Sequence, residues 1–337
     1  MSRIFDNITE SFNDVPADLP VYEGYDAETG DVMAFTEAAA DMVGIYEAMH
    51  AYGMMELKAE TDPYSVTTEG LIDKAKNVFE KIKESVKKLW AKIRSFFDNV
   101  IIAFNSKIKN GKEFASKYED KLKNLKLDGF KADTYSFGGL YANPVSNAYA
   151  KCRDVINGMT LSAEDESELT AKKDEHIENI RGVVVGDGKR YTAEEFKEAA
   201  TEKFRGGLST KEMSINITNV INTLKDEKAL KAVKEAKAAM DKSFSEQLRS
   251  IDAQQKSYEN QVKKLDESKE NAPVINDIKR KKGEANFVIS KCRHNTALFT
   301  EAQSICTSYF NIWKAVYDER ITAYKKICVQ AFKYKAA

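Results

Sequence analysis

The 337-residue chain is poor in the residues that interrupt helices, with only 5 prolines and 16 glycines. That scarcity excludes a fold of many short strands joined by tight turns and favours long helices. Its 4 cysteines, Cys152, Cys292, Cys306 and Cys328, are scattered. They make no disulfide framework and suit a reducing compartment. Nothing approaches the run of about 18 apolar residues that a membrane-spanning helix needs. The opening residues, acidic from early on, lack the apolar centre of a secretory leader. A soluble, intracellular chain is therefore expected.

Catalytic and ligand motifs are equally thin. The 3 histidines, His50, His176 and His294, are far apart in sequence. Cys292 and His294 are close, but no second ligand pair stands at zinc-like spacing. Gly186, Gly188 and Lys189 resemble a phosphate loop only superficially. Val183 stands where a Walker loop needs its first glycine, and Arg190 where it needs Ser or Thr. No Gly-x-Ser-x-Gly elbow is present, and no Cys/His pair has a recognisable local context. The expectation is a non-enzymatic protein without cofactor or metal. Cys292, Cys306 and Cys328 return to nearly one helix face, together with Phe299, Tyr309, Phe310 and Trp313, and read as buried structural thiols.

What the chain does have is charge, and the charge is segregated. Residues 1–66 carry 14 Asp/Glu against 2 Lys/Arg, whereas the remaining 271 residues carry 39 against 50. The net charge of −1 thus hides −12 beside +11. Such asymmetry points to an acidic tail or masking segment and a body that faces polyanions, or to two unevenly solvated surfaces.

Hydrophobic spacing divides the chain further. Residues 1–66 form an acidic segment, a propeptide or docking arm, irregular to residue 32 and with a helical pattern over 33–57. Six of the 9 methionines lie in the first 55 residues, as in adaptable binding faces or ordinary cores. Pro63 and a Ser/Thr cluster mark a linker over 61–70, where the charge changes sign. Residues 67–127 read as a basic amphipathic helix. Leu71, Ala75, Phe79, Ile82, Val86, Leu89, Ile93, Phe97, Val100, Phe104 and Ile108 recur every three to four residues, and Gly111 is a point where the helix divides. Residues 128–208 form a mixed region. Turns are expected at Gly138–Gly139 and Pro144, a small β-hairpin near 182–192 around Gly-Asp-Gly, and a capping box from Thr192 to Glu195. Residues 209–337 read as a long helical hairpin of 209–270 and 274–334, broken near Pro273. The expected fold is mostly α, with long amphipathic helices in an elongated, coiled-coil-like bundle and a small hairpin insertion.

The basic helix offers the candidate functional faces. Trp90, Phe96 and Phe97 are the candidate membrane or partner face, by insertion into an anionic bilayer. Lys83, Lys87, Lys88, Lys92 and Arg94 are the candidate polyanion face, suited to salt-sensitive, sequence-blind binding. The plain alternative is a core helix with a solvated lysine face.

One resemblance ties these features together. An acidic segment before a basic helical body resembles internal structural proteins of large tailed bacteriophages, which are trimmed during head maturation. The prohead proteases of such phages prefer Leu or Ile, any residue, Glu, then Ala, Gly or Ser. Ile8-Thr9-Glu10 before Ser11 and Ile45-Tyr46-Glu47 before Ala48 match, so Glu10 and Glu47 are candidate cleavage positions. Ile82-Lys83-Glu84 and Leu265-Asp266-Glu267, each before serine, match too, but inside expected helices. Cleavage after Glu47 would shift the net charge from −1 to +9. Asn179 to Gly182, Tyr191 to Phe196 and Lys203 to Gly207 resemble segments in virion proteins of large phages of Gram-positive hosts. The resemblance implies a head-associated virion protein made in the host cytoplasm. Its partners would be other virion proteins (capsid or core), with packaged DNA and a second copy of the chain as further candidates. The acidic segment would mask the basic body until assembly. Membrane contact through 71–108 and non-specific DNA binding are the alternative functions.

Overall fold

The computed structural model describes residues 68–140, 144–212, 217–270 and 275–336. The acidic segment, with Glu10 and Glu47, lies outside the described residues. Helix α1, Thr68–Lys123, has 56 residues and is about 84 Å long at 1.5 Å per residue. Strand β1, Lys131–Tyr135, and the short 3-10 turn Gly138–Leu140 follow. Then come α2, Pro144–Ser162; α3, Glu166–Ala171; α4, Lys173–Val185; and α5, Ala193–Arg205. Strand β2, Leu208–Glu212, precedes α6, Ile217–Leu224; α7, Lys228–Glu270; and α8, Ile275–Ala336. The described residues are mostly helical, with long helices packed together.

Three long helices form the frame. The α1 stripe expected from the sequence is the one that is buried: Phe79, Ile93, Phe97 and Phe104 are each 0% exposed. Burying each such side chain contributes roughly 1.5–3 kcal/mol. Helix α7 lies antiparallel to α1, since Phe79 meets Tyr258 at 6.2 Å and Trp90 stacks on Phe244 at 5.9 Å. Helix α8 runs parallel to α1, with Phe97 on Phe310 at 4.9 Å and Phe104 on Tyr317 at 5.1 Å. Helices α7 and α8 form the expected antiparallel hairpin, Phe244 meeting Phe299 edge-to-face at 5.1 Å.

Helix α8 is the hub. It packs against each of the other seven described helices. Residues 292–299 are buried without interruption, so the helix has no wet side there. The second layer docks on it: Phe196 and Phe204 of α5 both meet Tyr309, at 6.1 and 4.8 Å. A smaller core closes the far end, where Ala115, Tyr118 and Leu122 of α1 meet Ile221 and Leu224 of α6 and Cys328 of α8.

Four expectations are corrected. The hairpin near 182–192 is absent. Gly182 to Val185 are the last turn of α4, and Gly186 at φ 85 is its left-handed cap, with its N–H on the Gly182 carbonyl. The run of β-branched valines suggested strand, but Val184 and Val185 are buried in the core on one end of a helix. Here tertiary burial overrides propensity. A Cβ on Gly182 would lie 1.6 Å from the Lys189 carbonyl oxygen, so the chain after α4 folds back only over glycine. The β-structure is elsewhere: β1 pairs antiparallel with β2, Lys131 opposite Glu212 and Tyr135 opposite Leu208.

Gly111 does not divide α1. The helix runs through it, and the missing Cβ admits the Leu224 carbonyl oxygen, which would stand 2.5 Å from one. Residues 209–270 are not one helix but β2, α6 and α7. Pro144, where a turn is expected, is instead the first residue of α2. Proline suits a first helical position as well as a turn, because its missing N–H would have no partner there.

Candidate functional site

Position on α1 sorts the sequence candidates. Trp90 is half-buried, with its indole N–H donating to Asp241 Oδ1 at 2.6 Å. Phe97 is fully buried, and half-buried Phe96 meets Phe310 edge-to-face at 6.0 Å. The aromatic face proposed for a membrane is therefore occupied by α7 and α8 of the same chain. Among the described residues, no helix is long and apolar enough to cross a membrane.

The candidate cations are split by the same geometry. Lys83 is half-buried against α7, 2.7 Å from Asp252 and 2.8 Å from Glu80. Burial lowers its pKa, but hydrogen bonds and charge from Asp252 and Glu80 outweigh that and raise it overall. Arg94 is exposed and stands 3.9 Å from Asp241. Lys87, Lys88 and Lys92 are exposed, as is Lys81. Residues 81–94 hold six bases and one acid, Glu84. Lys81, Lys88 and Lys92 are spaced by seven and four residues, so they share one flank of the helix. The structure thus keeps four of the five proposed polyanion residues on one wet surface and turns Lys83 into a link to α7.

The two remaining cleavage-like motifs lie in helix. Glu84 is exposed in the interior of α1, and Glu267 falls within α7. A helix must unwind locally before it fits a protease as an extended strand, so neither is an accessible site while the bundle is intact.

A buried polar layer went unnoticed in the sequence. Gln247 of α7 donates to Asn295 Oδ1 at 3.1 Å. Asn295 of α8 donates to Asn157 Oδ1 at 3.1 Å and to Thr160 Oγ1 at 3.3 Å on α2. Thr160 in turn donates to the Ile156 carbonyl at 2.9 Å. Every link joins a different helix or returns to backbone, so the layer fixes the mutual register of α2, α7 and α8. Nothing in sequence spacing marks it, because its members come from three distant segments.

Next to it, the rings of His176 on α4 and His294 on α8 lie edge-to-face, with centroids 5.8 Å apart. Burial pushes His294 down to about 4, with the charges of His176 and Lys173 adding to the effect, and burial lowers His176 too. Among the described residues, no group of three or more His, Cys, Asp or Glu is placed to hold a metal ion. The four cysteines are buried thiols, as the helical spacing suggested for three of them. Burial pushes Cys292 and Cys328 up to about 12. Cys152 and Cys306 have their sulfurs 3.8 Å apart, bridging α2 and α8.

A cleft beside the turn between α6 and α7 is lined by Thr223, Lys228, Trp313, Tyr317 and Arg320. None of the residues singled out as functional candidates lies in it. Compared with protein-family models, with curated proteins and with solved structures, the chain matches none of them.

Proposed function

We propose that this is a non-enzymatic structural protein of a tailed-phage virion, in or on the head, that works by helix packing and by presenting a basic helix face. The observation that carries the reading is the division of labour on α1. Its apolar stripe is used up inside the chain's own bundle, and what it offers a partner is the exposed set Lys81, Lys87, Lys88, Lys92 and Arg94. A polyanion or an acidic protein surface suits that set. The segregated acidic segment and the motifs ending at Glu10 and Glu47 support the resemblance to trimmed head proteins. Other capsid or core proteins are the main partners of this reading, and packaged DNA is the second, through contacts that ignore base sequence. The lipid-binding alternative requires the bundle to open first, because Trp90, Phe96 and Phe97 are packed against α7 and α8.

Intact-mass analysis of purified mature particles tests the reading. The expected result is the chain present in the particle with its N-terminus at Ser11 or Ala48. A full-length N-terminus would overturn the processing step, and absence from the particle would overturn the assignment as a whole.

A further inference from the structure

We propose that the acidic segment 1–66 docks, within its own chain, on the face of α1 formed by Lys81, Lys87, Lys88 and Lys92, with Arg94 at its edge toward α7. The charges are complementary: the segment carries −12, and the rest of the chain +11. Within α1 the positive charge is concentrated, with six bases against one acid over residues 81–94. On the side facing α7, Asp252 pairs with Lys83 and Asp241 stands near Arg94. Lys81, Lys88 and Lys92 lie on the opposite flank and are exposed.

The tether makes the encounter local. The segment ends where α1 begins at Thr68. The basic face begins about 20 Å along the helix and ends about 40 Å along it, at 1.5 Å per residue. An extended chain covers that span with roughly a dozen residues. Attachment holds the acids near the face at an effective concentration on the order of millimolar, so many individually weak surface pairs act together. Docking occupies the surface that a polyanion would use. Loss of the segment then exposes a body of net charge +11. The docking is independent of where the protein resides, so it stands or falls separately from the virion reading.

Zero-length carbodiimide cross-linking of the full chain tests it, using an equal mixture of unlabelled and nitrogen-15-labelled protein. Expected are links from acids of 1–66 to Lys81, Lys87, Lys88 or Lys92 within one isotopic copy. They should be lost near 1 M salt, where the Debye length falls to about 3 Å. Links that join light to heavy copies would overturn the proposal in favour of a second copy as occupant. Links that fall instead on lysines of the other helices, or the lack of any to α1, would overturn it outright. A Glu-specific protease gives a second readout. Cleavage within 1–66 should be about tenfold faster in the variant Lys81→Gln/Lys87→Gln/Lys88→Gln/Lys92→Gln, as expected when a closed state is released. An unchanged rate at unchanged helical content would contradict docking.

Discussion

Helices α1 and α8 are of similar length, 56 and 62 residues, yet they are built on opposite principles. Helix α1 is an edge: one apolar stripe inward, lysines outward. Helix α8 is a centre, enclosed on all sides over 292–299, where it buries Arg293, His294, Asn295 and Thr296. The edge helix draws its stability from a continuous row of apolar side chains. The central helix must also place polar groups in the dry interior; the layer through Gln247, Asn157 and Thr160 satisfies Asn295 and Thr296, whereas His294 Nε2 is buried without a hydrogen bond. The lesson is that the wet face of α1 is open to substitution, whereas α8 has little tolerance anywhere along its middle.

Substitutions sharpen that contrast in order of expected effect. Phe97→Ala removes a fully buried ring between α1 and α8 and should lower urea-unfolding stability by about 3–5 kcal/mol. A loss below about 1 kcal/mol would mean the stripe is not packed as described. Asn295→Ala should cost about 1–3 kcal/mol, because it removes the bonds that Gln247, Asn157 and Thr160 make to Asn295 across three helices. If it proves neutral, the central layer is wet and the distinction between the helices weakens.

Acid should act on the centre. His294 is held neutral by burial, at about 4 against an ordinary value of 6.5, and His176 is lowered by its own burial. The unfolded chain therefore takes up protons first. The stabilisation is complete above about pH 6.5 and is lost as the pH falls toward 4. Lys173 and His176 oppose protonation of His294, while Glu175 and Glu168 partly favour it at His176. Thermal melts over that window should lose on the order of 2–3 kcal/mol in the native chain, most of it from His294. The loss should be smaller in His294→Gln, and equal slopes would remove the pair from the account. At the other extreme, Lys88→Ala on the wet face of α1 should change stability by no more than about 0.5 kcal/mol.

The contrast also explains what could be read in advance. The α1 stripe was legible residue by residue, because a helix with one wet side writes its burial as a 3.6-residue period. The Thr192–Glu195 capping box was legible because both of its hydrogen bonds are local, and both are present. The α7/α8 hairpin was legible from its break near Pro273. The all-round burial of α8 was not, since an enclosed helix has no period to display. The pairing of β1 with β2 joins segments more than seventy residues apart. The valines before Gly186 carry a strand's composition in a helix's last turn, and packing decided between them. As for the candidate site, the exposed lysines were visible in the sequence. The capture of Lys83, Trp90, Phe96 and Phe97 by α7 and α8 was not, because it depends on partners about 150 to 215 residues away.

The central claim is that the aromatic stripe of α1 is spent inside the bundle, packed against α7 and α8. Tryptophan fluorescence of the full chain, mixed with anionic vesicles whose acyl chains carry bromine, tests this directly, since Trp90 and Trp313 are its 2 tryptophans. The account predicts emission unchanged by the vesicles at any salt concentration, even if lysines hold the protein at the headgroups. Quenching by the brominated chains would place Trp90 in lipid and contradict it.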